Sequence, residues 1–199
     1  MDRRTVYHIG IAGAGAWGTA LAHAIASSGQ SVTLWSNDVA LANEINSKHE
    51  NSRFLRGVPL SHGFRSCSNV EELAACDLIL LVCPAQSLRR VLSGMHFKVP
   101  LLICAKGIER ETGALMTEVA AEVHPNAAVG MLSGPSFATE VAKGLPCAVT
   151  IAFKDEQMAV TVCAAIGSPS FRPYASTDVV GVAIGGAVKN VLAIACGIV

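Results

Sequence analysis

The chain has 199 residues, of which 51% are apolar and only 15% charged, and its formal net charge is zero. A chain of this length can bury a full core as one domain with some added elements. Its balanced charge gives no basic stripe for nucleic acid or an anionic bilayer, so neither is expected as a partner.

Behind Arg3 and Arg4 the first apolar run is too short for a signal peptide and leads into glycines. Val6–Ala12 reads instead as a buried strand. It meets Gly13-Ala14-Gly15-Ala16-Trp17-Gly18, and an Ala/Leu-rich helical pattern follows at once. Strand, glycine turn and helix in that order form the context that a dinucleotide-binding fingerprint requires. Gly13 permits the tight turn, Gly15 leaves room for a pyrophosphate, and Gly18 lets helix and strand pack closely. The free N–H groups and positive dipole end of the helix then face the phosphate charge.

After Gly29, the pattern predicts a strand over 31–35, a helix over 39–47, a loop over 50–63, a weak strand over 64–67 and a short helix over 70–75. The continuous apolar run 77–83 reads as a strand covered on both faces, and Pro84 opens a helix to about Leu92. Strands follow over 99–105, 127–132, 147–153 and 171–174, with helices over 114–123, after the 133–136 turn into Ala142, and over 156–166. Strands alternating with helices imply an α/β fold with a Rossmann-like, doubly wound, mostly parallel sheet.

The segment 178–199 differs from the rest. Asp178 can cap a long helix that is apolar on nearly every face and ends without a polar last turn. Such a helix is expected to be buried in something larger. A missing helical domain or a dimer partner could cover it, and the first is the working expectation. The implied domains are 1–177 for the dinucleotide and 178–199 as the start of a helical substrate domain. Lys189 and Asn190 interrupt the apolar run, which argues against a membrane span.

The seven cysteines are scattered, with no CxxC pair. They read as buried, reduced thiols of a cytoplasmic protein, and neither disulfides nor metal ligation is expected.

Ligands of open parallel sheets collect at the carboxyl ends of strands. Three segments besides the glycine turn reach that edge: 83–86, which shapes a wall; Ala105 to Glu109; and Leu132 to Ala138. Four of the six lysines read as surface charges. Lys189 lies in a segment with almost no other charge, where lost hydration favours a lysine that exchanges a proton near neutral pH. A snorkelling or paired structural lysine is the equal alternative from position alone.

The segments GAGAWGTALA (13–22), NSRFLRG (51–57), KGIE (106–109), LSGPSFATEVAKGLP (132–146) and GVAIGGAVKNVLAIACGI (181–198) are spread along nearly the whole chain. In that order they resemble the N-terminal part of the bacterial-type NAD(P)-dependent glycerol-3-phosphate dehydrogenases. The resemblance implies reversible hydride transfer between a nicotinamide cofactor and dihydroxyacetone phosphate, giving sn-glycerol 3-phosphate for phospholipid synthesis. It implies Lys189 as proton donor and acceptor, Lys106 at both cofactor and substrate, and Gly134 and Ser136 at the substrate. Ala16, Trp17 and Ala138 would line the cofactor beside the glycines, and Asn190 would orient Lys189. Position 37, usually Arg or His in that family, is Asn37 here, which leaves NAD and NADP both open, with NADP favoured because no carboxylate clearly excludes it. Dimerisation is compatible with the apolar last helix. The 199 residues alone are expected to be inactive, and two other readings are a truncated, catalytically inactive NAD(P)-binding module and another dehydrogenase of the β-hydroxyacid type.

Overall fold

The computed structural model describes residues 6–95 and 97–198, with every side chain among them except that of Asn190. Fifteen main elements follow in chain order: β1 (His8–Ala12), α1 (Ala16–Ser27), β2 (Ser31–Trp35), α2 (Val39–Lys48), β3 (Phe64–Cys67), β4 (Leu78–Leu81), α3 (Leu88–Ser93), β5 (Leu101–Ile103), α4 (Met116–Val123), β6 (Val129–Ser133), α5 (Ala138–Ala142), β7 (Cys147–Ala152), α6 (Glu156–Ile166), β8 (Phe171–Ser176) and α7 (Val179–Cys196). The strands form one eight-stranded sheet in the order β3-β2-β1-β4-β5-β6-β7-β8. Every pair is parallel except β6 with β7.

The alternation of side chains along the strands divides the core in two. Leu78 and Leu80 of β4 join Ile9 and Ile11 of β1 and Leu102 of β5 on one face, while Ile79, Leu81, Leu101 and Ile103 occupy the other. That is the period-2 pattern of a sheet covered on both sides, and it explains why β4 and β5 read as continuous apolar runs. Both strands are shorter than their runs. Cys104 and Ala105 stay buried beyond β5, but their backbone has already left the strand toward the cleft. The segment 70–75, expected as a short helix, is a 3-10 turn capped by the Asn69 side chain, and a second one over Ala85–Ser87 precedes α3.

The single antiparallel pairing follows from helix length. With 11 residues, α6 spans about 16 Å, enough to carry the chain back along a six-residue strand, so β8 returns parallel to β7. With five residues α5 spans only about 7–8 Å, so β7 enters from the end at which β6 left. At this junction Gly130 lies against β7: a Cβ there would sit 2.5 Å from the Phe153 ring and 2.7 Å from the Ala152 carbonyl oxygen.

The last helix begins as expected, with the Asp178 carboxylate accepting from the Gly181 amide at 2.8 Å. Its first turns bury Val179 and Ala183 against the sheet, whereas Val191, Leu192, Ile194 and Ile198 are exposed. Among the described residues no helix is long and apolar enough to cross a membrane, and no cluster of ligating side chains could hold a metal ion. The cysteine expectation needs correction. Cys67, Cys76 and Cys104 are buried, Cys83, Cys147 and Cys163 are half-buried, and Cys196 is exposed because α7 projects from the sheet there.

The packing at the antiparallel junction gives a direct test of β7. Gly130→Ala is expected to lower stability by about 1–3 kcal/mol through overpacking against Phe153, read as a shift in the urea midpoint. An unchanged midpoint would contradict the β6–β7 packing.

Candidate functional site

The three glycines of the first turn have three separate reasons to be glycine. Gly13 has a φ of +129°, a region that side chains rarely adopt. A Cβ on Gly18 would collide with the Gly13 carbonyl oxygen, so the first turn of α1 lies directly on the turn after β1. At Gly15 a Cβ would meet nothing within 4 Å, so this position faces open space. No side chain caps the N-terminus of α1. Its amides and the positive end of its dipole are therefore left to whatever occupies that space.

A buried asparagine ties the next loop to this turn. Asn51 donates from Nδ2 to the Ala14 carbonyl at 3.0 Å and to the Thr19 hydroxyl at 2.8 Å. Its Oδ1 accepts from the Phe54 amide at 3.0 Å. The loop is thereby held beside the carboxyl end of β2, and Arg53 and Phe54 join Ser36, Asn37 and Asp38 around a cavity of about 970 Å³. Gly13, Gly15 and Pro84 line the same cavity. Asp38 caps α2 through Oδ1, which accepts from the Ala40 and Leu41 amides. Its Oδ2 pairs with Arg53 at 3.2 Å.

A second cavity of about 440 Å³ shares Gly15 and Pro84 with the first and is lined by Ala16, Trp17, Gly18, Lys106, Ser136 and Ala138. Lys106 donates to the Gly134 carbonyl at 3.0 Å. Burial first, and the charge of Lys189 second, lower the pKa of Lys106 from its ordinary value. Gly186 explains how α7 reaches this edge. A Cβ there would sit 2.7 Å from the Ser133 hydroxyl and 3.6 Å from the Lys106 Cγ, so the helix rests directly on the end of β6. Lys189, three residues on and half-buried, stands over the same edge with its ammonium 5.7 Å from the centre of the Phe137 ring. Gly134, Gly186 and Lys189 line a third cavity of about 350 Å³.

The loop that carries Lys106 is braced from α3. Arg89 grips Glu109 with two bonds of 2.9 Å and also meets Glu122 at 2.8 Å, while Thr112 donates to Glu109 at 2.6 Å. Gln86 donates to the Ile108 carbonyl and accepts from the Arg110 amide. The bonds from Arg89 and then Thr112 hold the Glu109 carboxyl down to about 2.

The residues picked out from sequence come together along one edge of the sheet. Gly13, Gly15 and Asn37 line the first cavity, Gly15, Ala16, Trp17, Gly18, Lys106, Ser136 and Ala138 the second, and Gly134 and Lys189 the third. Asn37 is exposed at the mouth. The Asn190 side chain lies outside the described residues. Asn51, Arg53, Phe137 and the Gln86–Arg89–Glu109 brace were not anticipated as functional. The string at 51–57 was visible, but nothing in its spacing says that it folds back on the glycine turn.

The chain matches known proteins over most of its length. The family described as NAD-dependent glycerol-3-phosphate dehydrogenase N-terminus matches residues 8–159. A glycerol-3-phosphate dehydrogenase (NAD(P)+) of Parvibaculum lavamentivorans is 51% identical over 195 residues, which are 96% of this chain and 59% of that protein. One from Caulobacter vibrioides is 50% identical over 199 residues, covering 98% and 60%. The crystal structure of glycerol-3-phosphate dehydrogenase from Coxiella burnetii superposes with a TM-score of 0.88 at 34% identity, over 97% of this chain and 61% of that one. The chain thus spans about three-fifths of the length of these relatives.

The loop brace has a pH signature. Glu109 is held below its ordinary value of 4.5, so the brace contributes fully above that value and is lost as pH falls toward about 2. Between those limits the melting temperature of the unaltered chain should fall more steeply than that of Glu109→Gln. Parallel melting curves would contradict the brace.

Proposed function

The chain belongs to the NAD-dependent glycerol-3-phosphate dehydrogenase family, whose N-terminal region it matches, and from that premise we propose that it serves the reversible reduction of dihydroxyacetone phosphate to sn-glycerol 3-phosphate. The cofactor is NAD or NADP. The observation that carries this reading is the approach of Lys189, from a distant part of the chain, to Lys106, which lines the cavity at the uncapped end of α1.

The cleft suits a dinucleotide. Gly15 offers open space where a Cβ would stand, the α1 amides are uncapped, and cavities adjoin the turn on both sides. Gly13, Gly15, Ala16, Trp17 and Gly18 would hold the pyrophosphate, Asn37 the adenosine end, and Ala138 and Lys106 the nicotinamide end. A bound nicotinamide supplies or accepts the hydride at C2.

The protein's own part is charge and proton handling. Hydride arriving at a carbonyl carbon leaves negative charge on the oxygen, and an ammonium at that point stabilises it and then protonates it. Lys189 takes this role, and in the reverse direction it removes the proton. Lys106 keeps a second positive charge nearby, and its bond to Gly134 fixes where that charge stands. Gly134 and Ser136 shape the substrate side. In this reading residues 1–177 form the dinucleotide domain and 178–199 begin the substrate domain. Another dehydrogenase of the β-hydroxyacid type would use the same cleft, but the match over residues 8–159 favours the present substrate.

The test is oxidation of NADH and NADPH with dihydroxyacetone phosphate, run beside a cofactor titration. Lys189→Met is expected to lower kcat by about 10²-fold or more and to leave cofactor affinity within about twofold of its original value. An unchanged kcat would remove Lys189 from the chemistry, and binding without any turnover would make the chain a nucleotide-binding module.

A further inference from the structure

The adenosine side of the cleft contains a charge arrangement that the reading above leaves unused. In this fold an acid after the second strand reads the ribose 2′-hydroxyl, or an arginine nearby accommodates a 2′-phosphate. Here both are present, and they are bound to one another. Asp38 follows β2, spends Oδ1 on the Ala40 and Leu41 amides, and gives Oδ2 to Arg53 at 3.2 Å. Arg53 comes from the loop that Asn51 ties to the glycine turn, and its guanidinium carbon lies 5.0 Å from the centre of the Phe54 ring. Asp38, Arg53 and Phe54 all line the same cavity as Gly13 and Gly15.

Resting on the dinucleotide reading, we propose that Arg53, and not residue 37, is the group that reads the 2′ position of the adenosine ribose. Its exchangeable pairing with Asp38 lets one cleft take both NAD and NADP. The Arg53 side chain is 65% exposed and Asp38 38% exposed. An ion pair so open to water holds its partners weakly, so Arg53 can leave it at little cost. A guanidinium has five N–H donors in a planar fork, and a phosphate dianion matches that fork better than one carboxylate oxygen does. With a 2′-hydroxyl the pair stays closed and Arg53 neutralises Asp38. With a 2′-phosphate Arg53 turns to the phosphate, and Asp38 remains held by its two α2 amides.

The experiment is calorimetric titration of the chain with NADH, NADPH, AMP and adenosine 2′,5′-bisphosphate. The last two probe the adenosine end without the nicotinamide. Arg53→Gln should weaken NADPH and the bisphosphate about tenfold or more, while NADH and AMP change less than about threefold and the melting temperature holds. Asp38→Asn keeps a cap oxygen for α2 and removes the competing charge, so it should tighten NADPH severalfold with little change for NADH. Equal losses for both dinucleotides, or none for either, in Arg53→Gln would overturn the proposal. If Asp38→Asn does not fold, the Arg53→Gln comparison decides alone. If the unaltered chain binds neither dinucleotide, the dinucleotide reading itself fails, and this proposal with it.

Discussion

The contact between the first turn of α1 and the carbonyl of Gly13 is the constraint on which the site depends. Because Gly18 has no side chain, the helix can rest on the turn that ends β1. That close approach aims the uncapped N-terminus of α1 at the carboxyl edge of the sheet. A larger residue at either glycine would push the helix away, and the partial positive charge would be lost to solvent. The other parts of the site are placed by reference to this turn. Asn51 fixes the 51–57 loop through the Ala14 carbonyl, and the second cavity opens from the other side of Gly15.

Two further close approaches bring the lysines to the same edge. Gly134 passes the backbone of β7, where a Cβ would sit 2.9 Å from the Ala148 carbonyl oxygen, and its own carbonyl receives Lys106. Gly186 lets α7 descend on Ser133, which sets Lys189 over the ring of Phe137. Two cations held near one another repel, and burial adds to that cost. In the proposed reaction negative charge would develop on an oxygen beside them, which is the condition under which such a cost serves catalysis. The Arg89–Glu109 brace gives the Lys106 loop an anchor at its far end, so the lysine is held from both sides.

Much of the fold could be read from residue order alone. The alternation of apolar runs with helical stretches, the breaks at Gly29 and Pro84, and the cap at Asp178 are local signals, and α6 was delimited to the residue. The limits of β4 and β5 were overestimated because an apolar run reports burial, whereas a strand ends where its neighbour stops pairing. The reversal at β7 depends on how far a five-residue helix reaches, which composition does not express. At the site, the glycines and lysines were legible because their residue types are unusual where they stand. Arg53 and Glu109 were not, since a surface-type charge reveals its role only when a distant loop or helix brings its partner to it.

Gly15 offers the most direct test of the central claim, that the turn between β1 and α1 holds a dinucleotide by its pyrophosphate. Its backbone is extended and a Cβ there points into open space, so a larger side chain can be added without disturbing the fold. Titrating the chain and Gly15→Val with NADPH, with energy transfer from tryptophan to the dihydronicotinamide as the signal, separates the possibilities. The account predicts saturable transfer in the unaltered chain, and its loss by about 10²-fold or more in affinity in Gly15→Val at an unchanged melting temperature. Equal affinity in the two proteins would contradict it.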